Sequence, residues 1–251
     1  VEFLKILESI RNGLLDNVCL ILTNLGSEVV ISVILCLVYW CVNKKLGFKI
    51  GFSYLIAGFF VNIIKIMAKI PRPFNADTSL TVVEGAKSTA GGYSFPSGHT
   101  QSSTSVYGTF SLHFGKHNVL LSILFFIPII IVAFTRMYLG VHTPLDVLAG
   151  FFLALFINIV VSYIFDNFWV DPSHFRAILI VISILSFGLI LLGVYEMVYA
   201  GVTAQNGLPC VKTGAGILGF IIGWYIEVTY VKFNETGIDL PGQILKFITG
   251  I

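Results

Sequence analysis

Phe95-Pro96-Ser97-Gly98-His99, followed further along the chain by Thr135-Arg136, His142 and Asp146, is the stretch on which the reading of this sequence turns. Two histidines, an arginine and an aspartate stand there at the mouths of strongly apolar runs. An ionisable side chain in such a place needs a partner or a purpose. The residue types predict a single phosphate-handling site.

The composition around that stretch sets the class. Hydrophobic residues make up 56% of the 251 residues and charged ones only 11%, with a mean hydropathy of +0.91; an ordinary soluble domain carries about 25% charged residues. An integral membrane protein is expected, all-α, built as a polytopic transmembrane bundle of about seven spans. Each span needs roughly 20 apolar residues, so the length suits one membrane domain, 1–251, with no second sizeable unit. The net charge of +2 and the lack of a basic run give no reason to expect a nucleic-acid partner. Cys19, Cys36 and Cys41 fall in apolar segments and Cys210 in an expected loop, so the cysteines form no framework. The chain begins at Val1 without Met, which places the expected native start upstream, and no signal-peptide pattern is visible.

Residues 1–25 repeat apolar side chains at three- and four-residue spacing (Phe3, Leu7, Ile10, Leu14, Val18, Ile21) against Glu2, Lys5, Glu8, Arg11 and Asp16. That predicts an amphipathic helix lying in the membrane interface. Catalytic-core spans are expected over 29–165 and additional C-terminal spans over 177–230. Val29 to Asn43 reads as a short first span closing on Lys44, Lys45 and Lys49, which mark a cytoplasmic loop by the positive-inside rule. A second span, from Ile50, stops at Ile70-Pro71-Arg72-Pro73, where proline cannot continue a helix.

Phe74 to Phe95 is a polar, glycine-bearing outer loop long enough to be functional. The third span, from near Gly98, is rich in Ser and Thr, which predicts a helix buried against other helices. Val119 to Thr135, Leu145 to Phe165, Ala177 to Tyr195 and Gly214 to Ile226 supply the fourth to seventh, with Asp166 to Arg176 as an inner loop; the stretch closing at Ile251 is moderately amphipathic. This segmentation puts the singled-out residues on one membrane face.

Three motifs now follow in order. Lys65 precedes Arg72-Pro73; then comes Pro96-Ser97-Gly98-His99; Arg136, His142 and Asp146 close the set. Phosphomonoester hydrolysis needs accelerations of up to about 10²¹, so several groups must stabilise a heavily charged transition state. Lys65, Arg72 and Arg136 offer three cations, two able to grip phosphate oxygens bidentately. Backbone N–H groups at Ser97, Gly98 and His99 would open a helix and make an anion site there, with glycine allowing close approach.

The ordered set resembles the type 2 phosphatidic acid phosphatase superfamily of membrane lipid phosphatases, and the likeness runs from about Ile50 to Asp146. One departure is Thr135, where the family's third motif usually begins with Ser; the hydroxyl is retained. The resemblance implies that His142 is a nucleophile forming a phosphohistidine, that Asp146 fixes its tautomer, and that His99 is the general acid. It implies no cofactor and no metal. The substrate would be a phospholipid or isoprenoid lipid phosphate in the bilayer, of the undecaprenyl diphosphate, phosphatidylglycerol phosphate or phosphatidate class. The site would lie on the extracytoplasmic face of a bacterial plasma membrane.

Plainer readings stand beside these. Thr143, Pro144 and Asp146 make a good helix start in their own right. Lys65, Lys69 and Arg72 could be interfacial anchors, Glu196 and Glu227 interfacial carboxylates, and His113 and His117 solvated loop residues. His99, His142 and Asp146 could form a facial metal triad, which three nearby cations would oppose. A lipid phosphotransferase would use the same residues; a silent lipid-binding or transport protein, or a soluble vanadate-dependent haloperoxidase relative, fits the motifs or the composition less well.

Overall fold

The computed structural model describes residues 2–168, 172–199, 204–235 and 237–250. Every regular element among them is helical: α1 Glu2–Ser9, α2 Gly13–Leu22, α3 Glu28–Leu37, α4 Lys44–Ala68, α5 Pro73–Ala76, α6 Gly98–Gly115, α7 Val119–Tyr138, α8 Pro144–Asn167, α9 Pro172–Val198, α10 Ala204–Ile226 and α11 Leu240–Gly250. Caps account for many of the boundaries. Asn12, Ser27, Asn43, Ser97, Asn118 and Thr143 each accept a backbone N–H of the helix they open, as short polar side chains do at N-caps.

Five helices are long and apolar enough to cross a membrane, and six if the bent pair Gly13–Gly26 and Glu28–Val42, with 48° between its halves, counts as one. The chain is an integral membrane protein. α6, expected as the third span, has little apolar character of its own, and its residues from Thr100 to Phe110 are all buried. It lies against α4, α7 and α8, so helices rather than lipid meet its hydroxyls. Several of those hydroxyls return to their own helix, Ser103 to the Thr100 carbonyl at 3.0 Å and Thr109 to the Ser105 carbonyl at 2.6 Å. Asn158 of α8 donates to the Thr104 carbonyl at 2.8 Å. The lipid side is carried instead by exposed Ile130, Phe134, Phe152, Phe156, Ile184 and Phe187 on α7, α8 and α9.

Several expectations are corrected. The N-terminal amphipathic run is two helices, broken at residues 10–12 where Asn12 caps α2. Lys49 lies inside α4 and is buried rather than in a loop. α10 starts ten residues before the expected Gly214, which places Cys210 in a helix, fully buried. α9 likewise begins within the expected inner loop, at Pro172; residues 169–171 of that loop lie outside the described set. Glu227 pairs with Lys44 at 2.6 Å, and Glu196 approaches Lys69 at 3.8 Å.

The ends of α4, α6, α7 and α8 that carry the motifs converge at one end of the bundle. The segment between α5 and α6 closes over that end, tied down by the N-terminus. Arg11 donates to the Tyr138 carbonyl at 3.0 Å and the Thr81 carbonyl at 2.8 Å, and Thr81 donates to Glu8.

Candidate active site

His142 is delivered by a turn that needs glycine. After α7, Gly140 takes φ +80, a left-handed conformation that a side chain resists, and the chain turns back so that His142 is buried at 1% exposure. Pro144 and Thr143 then start α8. A capping box is complete, with Thr143 Oγ1 accepting from the Asp146 N–H and Asp146 Oδ2 accepting from the Thr143 N–H at 2.7 Å. The cap leaves room for the orienting reading of Asp146, because the same Oδ2 lies 3.6 Å from His142 Nδ1.

The other ring nitrogen meets a cation. Arg72 Nη1 donates to His142 Nε2 at 2.7 Å and to the Val141 carbonyl at 3.1 Å. With Nε2 accepting, the ring hydrogen sits on Nδ1, on the Asp146 side. Burial first, then the charges of Arg72, Arg136, Lys65 and His99, hold the His142 imidazole well below the usual histidine range, which favours the neutral ring, its Nε2 lone pair directed at Arg72.

Arg72 and Lys65 are not surface anchors. Arg72 is 5% exposed; its Nε and Nη2 donate to the carbonyls of Gly92 at 3.1 Å and Gly91 at 2.7 Å. Lys65 Nζ donates to the Tyr93 carbonyl at 2.6 Å. Arg136 is fully buried and set further back, held by Thr23 Oγ1 at 3.2 Å and Thr89 Oγ1 at 3.1 Å, with Nε left without a partner. Thr135, the departure from the family pattern, turns its hydroxyl to the Val132 carbonyl at 2.9 Å within α7. Among the described residues no three His, Cys, Asp or Glu side chains gather as a metal-ligating set.

The second motif opens α6. Ser97 caps the helix, and its N–H donates to the Asp146 carbonyl at 2.9 Å, so this N–H, expected to face an anion, is committed to holding α8. Gly98 borders the cavity, and a Cβ built on it would meet nothing within 4 Å; the start of the helix is open to a ligand there. Lys65, Arg72, Gly98, His99 and His142 line one cavity of about 300 Å³. Lys69, one turn beyond Lys65, stays outside it.

Ser94 was missed by sequence reasoning. Its hydroxyl donates to Asp146 Oδ2 at 2.7 Å and lies 3.4 Å from His142 Nδ1. The only hint was its place just before Phe95-Pro96. Gly150 was missed as well: a Cβ there would lie 2.6 Å from the Ser97 carbonyl oxygen, so glycine permits the contact of α8 with the start of α6.

The PAP2 superfamily model matches residues 46–170. An undecaprenyl-diphosphatase of Sulfolobus acidocaldarius is 30% identical over 63% of this chain and 74% of its own length. A probable sphingosine-1-phosphate phosphatase of Dictyostelium discoideum is 29% identical over 62% of this chain, which spans only 40% of that protein. Among solved structures, a PAP2-type phosphatidylglycerolphosphate phosphatase from Bacillus subtilis and LpxE of Aquifex aeolicus share the fold. Each has a TM-score of 0.55 at 22% identity; they cover 65% and 64% of this chain, and 83% and 93% of their own chains are matched. The fold and relatives define a membrane phosphatase of the lipid-phosphate kind. The chain belongs to the PAP2 superfamily.

Proposed function

We propose that this chain hydrolyses a lipid phosphate or diphosphate through a phosphohistidine at His142, without a metal. The line Arg72–His142–Asp146 carries the reading: a neutral imidazole with Nδ1 toward a carboxylate and Nε2 toward a guanidinium that can hand over to phosphate oxygens. In the first step Nε2 attacks phosphorus, the bond to the leaving oxygen breaks, and that oxygen takes a proton from protonated His99. In the second step water attacks the phosphohistidine, His99 takes the water proton, and inorganic phosphate leaves with His142 restored. Lys65, Arg72 and the N–H groups at Gly98 and His99 hold the phosphoryl oxygens, with Arg136 adding its charge from behind Thr23 and Thr89; each direct donor is worth about 3 to 4 kcal/mol in the transition state. Ser97 acts indirectly, by tying α6 to α8.

The substrate is undecaprenyl diphosphate, phosphatidylglycerol phosphate or a sphingoid phosphate, the lipids named for the relatives, or phosphatidate. Lys44, Lys45 and Lys116 lie at the ends of helices away from the site, which supports an extracytoplasmic active site by the positive-inside rule. α6, shielded by its neighbours, and α3, as a short span, bring the five long helices to seven crossings, and α1–α2 lie along the interface. Residues 29–165 then form the catalytic core, with 177–230 as added spans of a single membrane domain.

The test is phosphate release from those lipids by purified protein in detergent with EDTA present. Release that chelation does not reduce is expected for at least one lipid. Release abolished by EDTA would contradict the metal-free scheme, and no release from any lipid would contradict the phosphatase.

A further inference from the structure

α10 lies beyond the residues that the PAP2 model matches, which end at 170, yet it walls the phosphate cavity. Asn206, Pro209, Lys212 and Thr213 line it together with Lys65, Arg72, His99 and His142. Polar clasps set the register of this helix. Asn62, one turn before Lys65 on α4, donates to Thr213 Oγ1 at 2.8 Å and the Pro209 carbonyl at 3.3 Å. At the same end Lys69, just past α4, approaches Glu196 of α9. Lys212, adjacent to Thr213, is exposed and borders the same cavity as Lys65 and Arg72.

Two side chains on that wall have unused capacity. Asn206 Oδ1 is buried without a hydrogen-bond partner, which is costly unless a ligand or water satisfies it. Lys212 makes no hydrogen bond or ion pair among the described residues. By contrast Lys65, Arg72 and Arg136 are engaged around His142 and the segment above it, three cations for one phosphate. The cavity continues into a groove of about 890 Å³, also bordered by Asn206, Lys212 and Lys87. A second anionic group in this shared space would have Lys212 on its wall. Glu28 lines the same space from α3, and no ion pair joins it to Lys212 among the described residues, so the ammonium is not neutralised.

We propose that Lys212 and Asn206 bind the second phosphate of a lipid diphosphate, the one that remains on the lipid, and so favour diphosphate over monophosphate substrates. This rests on the phosphatase reading above. In the reaction the bond from His142 Nε2 to the terminal phosphorus forms while that phosphorus loses its bond to the bridging oxygen. The bridging oxygen keeps the electron pair, takes the His99 proton, and leaves as part of a lipid monophosphate. While bond breaking runs ahead of the proton, negative charge gathers on the phosphate facing Lys212, and a cation there lowers the barrier. A neutral headgroup would make no use of the ammonium.

The test compares kcat/KM for an isoprenoid diphosphate and the monophosphate of the same isoprenoid, using the purified full chain, Lys212→Gln and Lys212→Arg. The ratio of diphosphate to monophosphate should fall about tenfold in Lys212→Gln, equivalent to about 1.4 kcal/mol, and stay near the native ratio in Lys212→Arg. A general folding defect lowers both rates and leaves the ratio alone. A ratio that stays within about twofold of native in Lys212→Gln, or falls as far in Lys212→Arg, overturns the inference while the phosphatase stands. Absence of release from both isoprenoid lipids by a native chain that releases phosphate from another lipid would overturn this inference alone; absence of release from every lipid would overturn the phosphatase reading, and this inference with it.

Discussion

The N–H of Ser97 donates to the backbone carbonyl of Asp146 at 2.9 Å. This bond joins the start of α6 to the first turn of α8, and it sets the general-acid candidate on one helix against the nucleophile candidate beside the other. Such a join forms only if the two backbones can approach, and Gly150 is what permits it.

Gly150→Ala should separate them. The added Cβ would lie 2.6 Å from the Ser97 carbonyl oxygen, a backbone atom that cannot swing aside. Overpacking of this kind costs about 1 to 3 kcal/mol. We expect a lower thermal midpoint in detergent together with a loss of phosphate release. A variant with native midpoint and native rate would show that the contact is not needed.

Asp146 has two duties that Asn can divide. Asp146→Asn keeps an oxygen to accept the Thr143 N–H, so the helix cap survives and stability should change by less than the roughly 1 kcal/mol of a lost cap. The charge facing His142 Nδ1 is lost, and kcat should fall on the order of 10²-fold or more. Thermal melts beside initial rates would separate these effects; a large loss of stability with little loss of rate would leave only capping.

Arg72 holds two loop carbonyls, the Val141 carbonyl and His142 Nε2 at once. Lysine carries the charge but not the planar fork. Arg72→Lys should therefore lower kcat/KM by about 10²-fold, measured as phosphate release on the best lipid. Near-native turnover would mean that charge alone suffices there.

The depressed basicity of His142 has a stability consequence of definite sign. An unfolded histidine takes its proton near pH 6.5, whereas the folded ring, buried among cations, takes it only at lower pH. Below about pH 6.5 the unfolded chain thus binds more protons, and folding stability falls as pH falls. Thermal midpoints across that range should drop more steeply for the native chain than for His142→Gln. Equal slopes would contradict a neutral buried imidazole.

The motif residues were readable because each is an ionisable or helix-starting group beside an apolar run, where few explanations compete. Lys65, Arg72, Gly98, His99 and His142 do meet at one cavity. Arg136 was legible as a cation but not in its depth, since its position behind Thr23 and Thr89 depends on contacts far away in sequence. Ser94 could not be told from any loop serine until the fold brought it to Asp146 across 52 positions. Cys210 and the first half of α10 were misread because Asn206, Gly207 and Pro209 look like loop chemistry; close packing on α9, where Gly193 and Gly207 nearly touch, carries the helix through them. Lys49 looked like part of a basic loop, although α4 begins five residues earlier at Lys44.

The central claim is that phosphate passes through His142. The most direct measurement is to mix purified protein with its best lipid substrate, quench in base during turnover, and map phosphate by mass spectrometry. An acid-labile, base-stable phosphoryl group on the peptide containing His142, absent from His142→Ala, is the predicted result. Turnover with no phosphoryl group on that peptide, or undiminished phosphate release by His142→Ala, would contradict it.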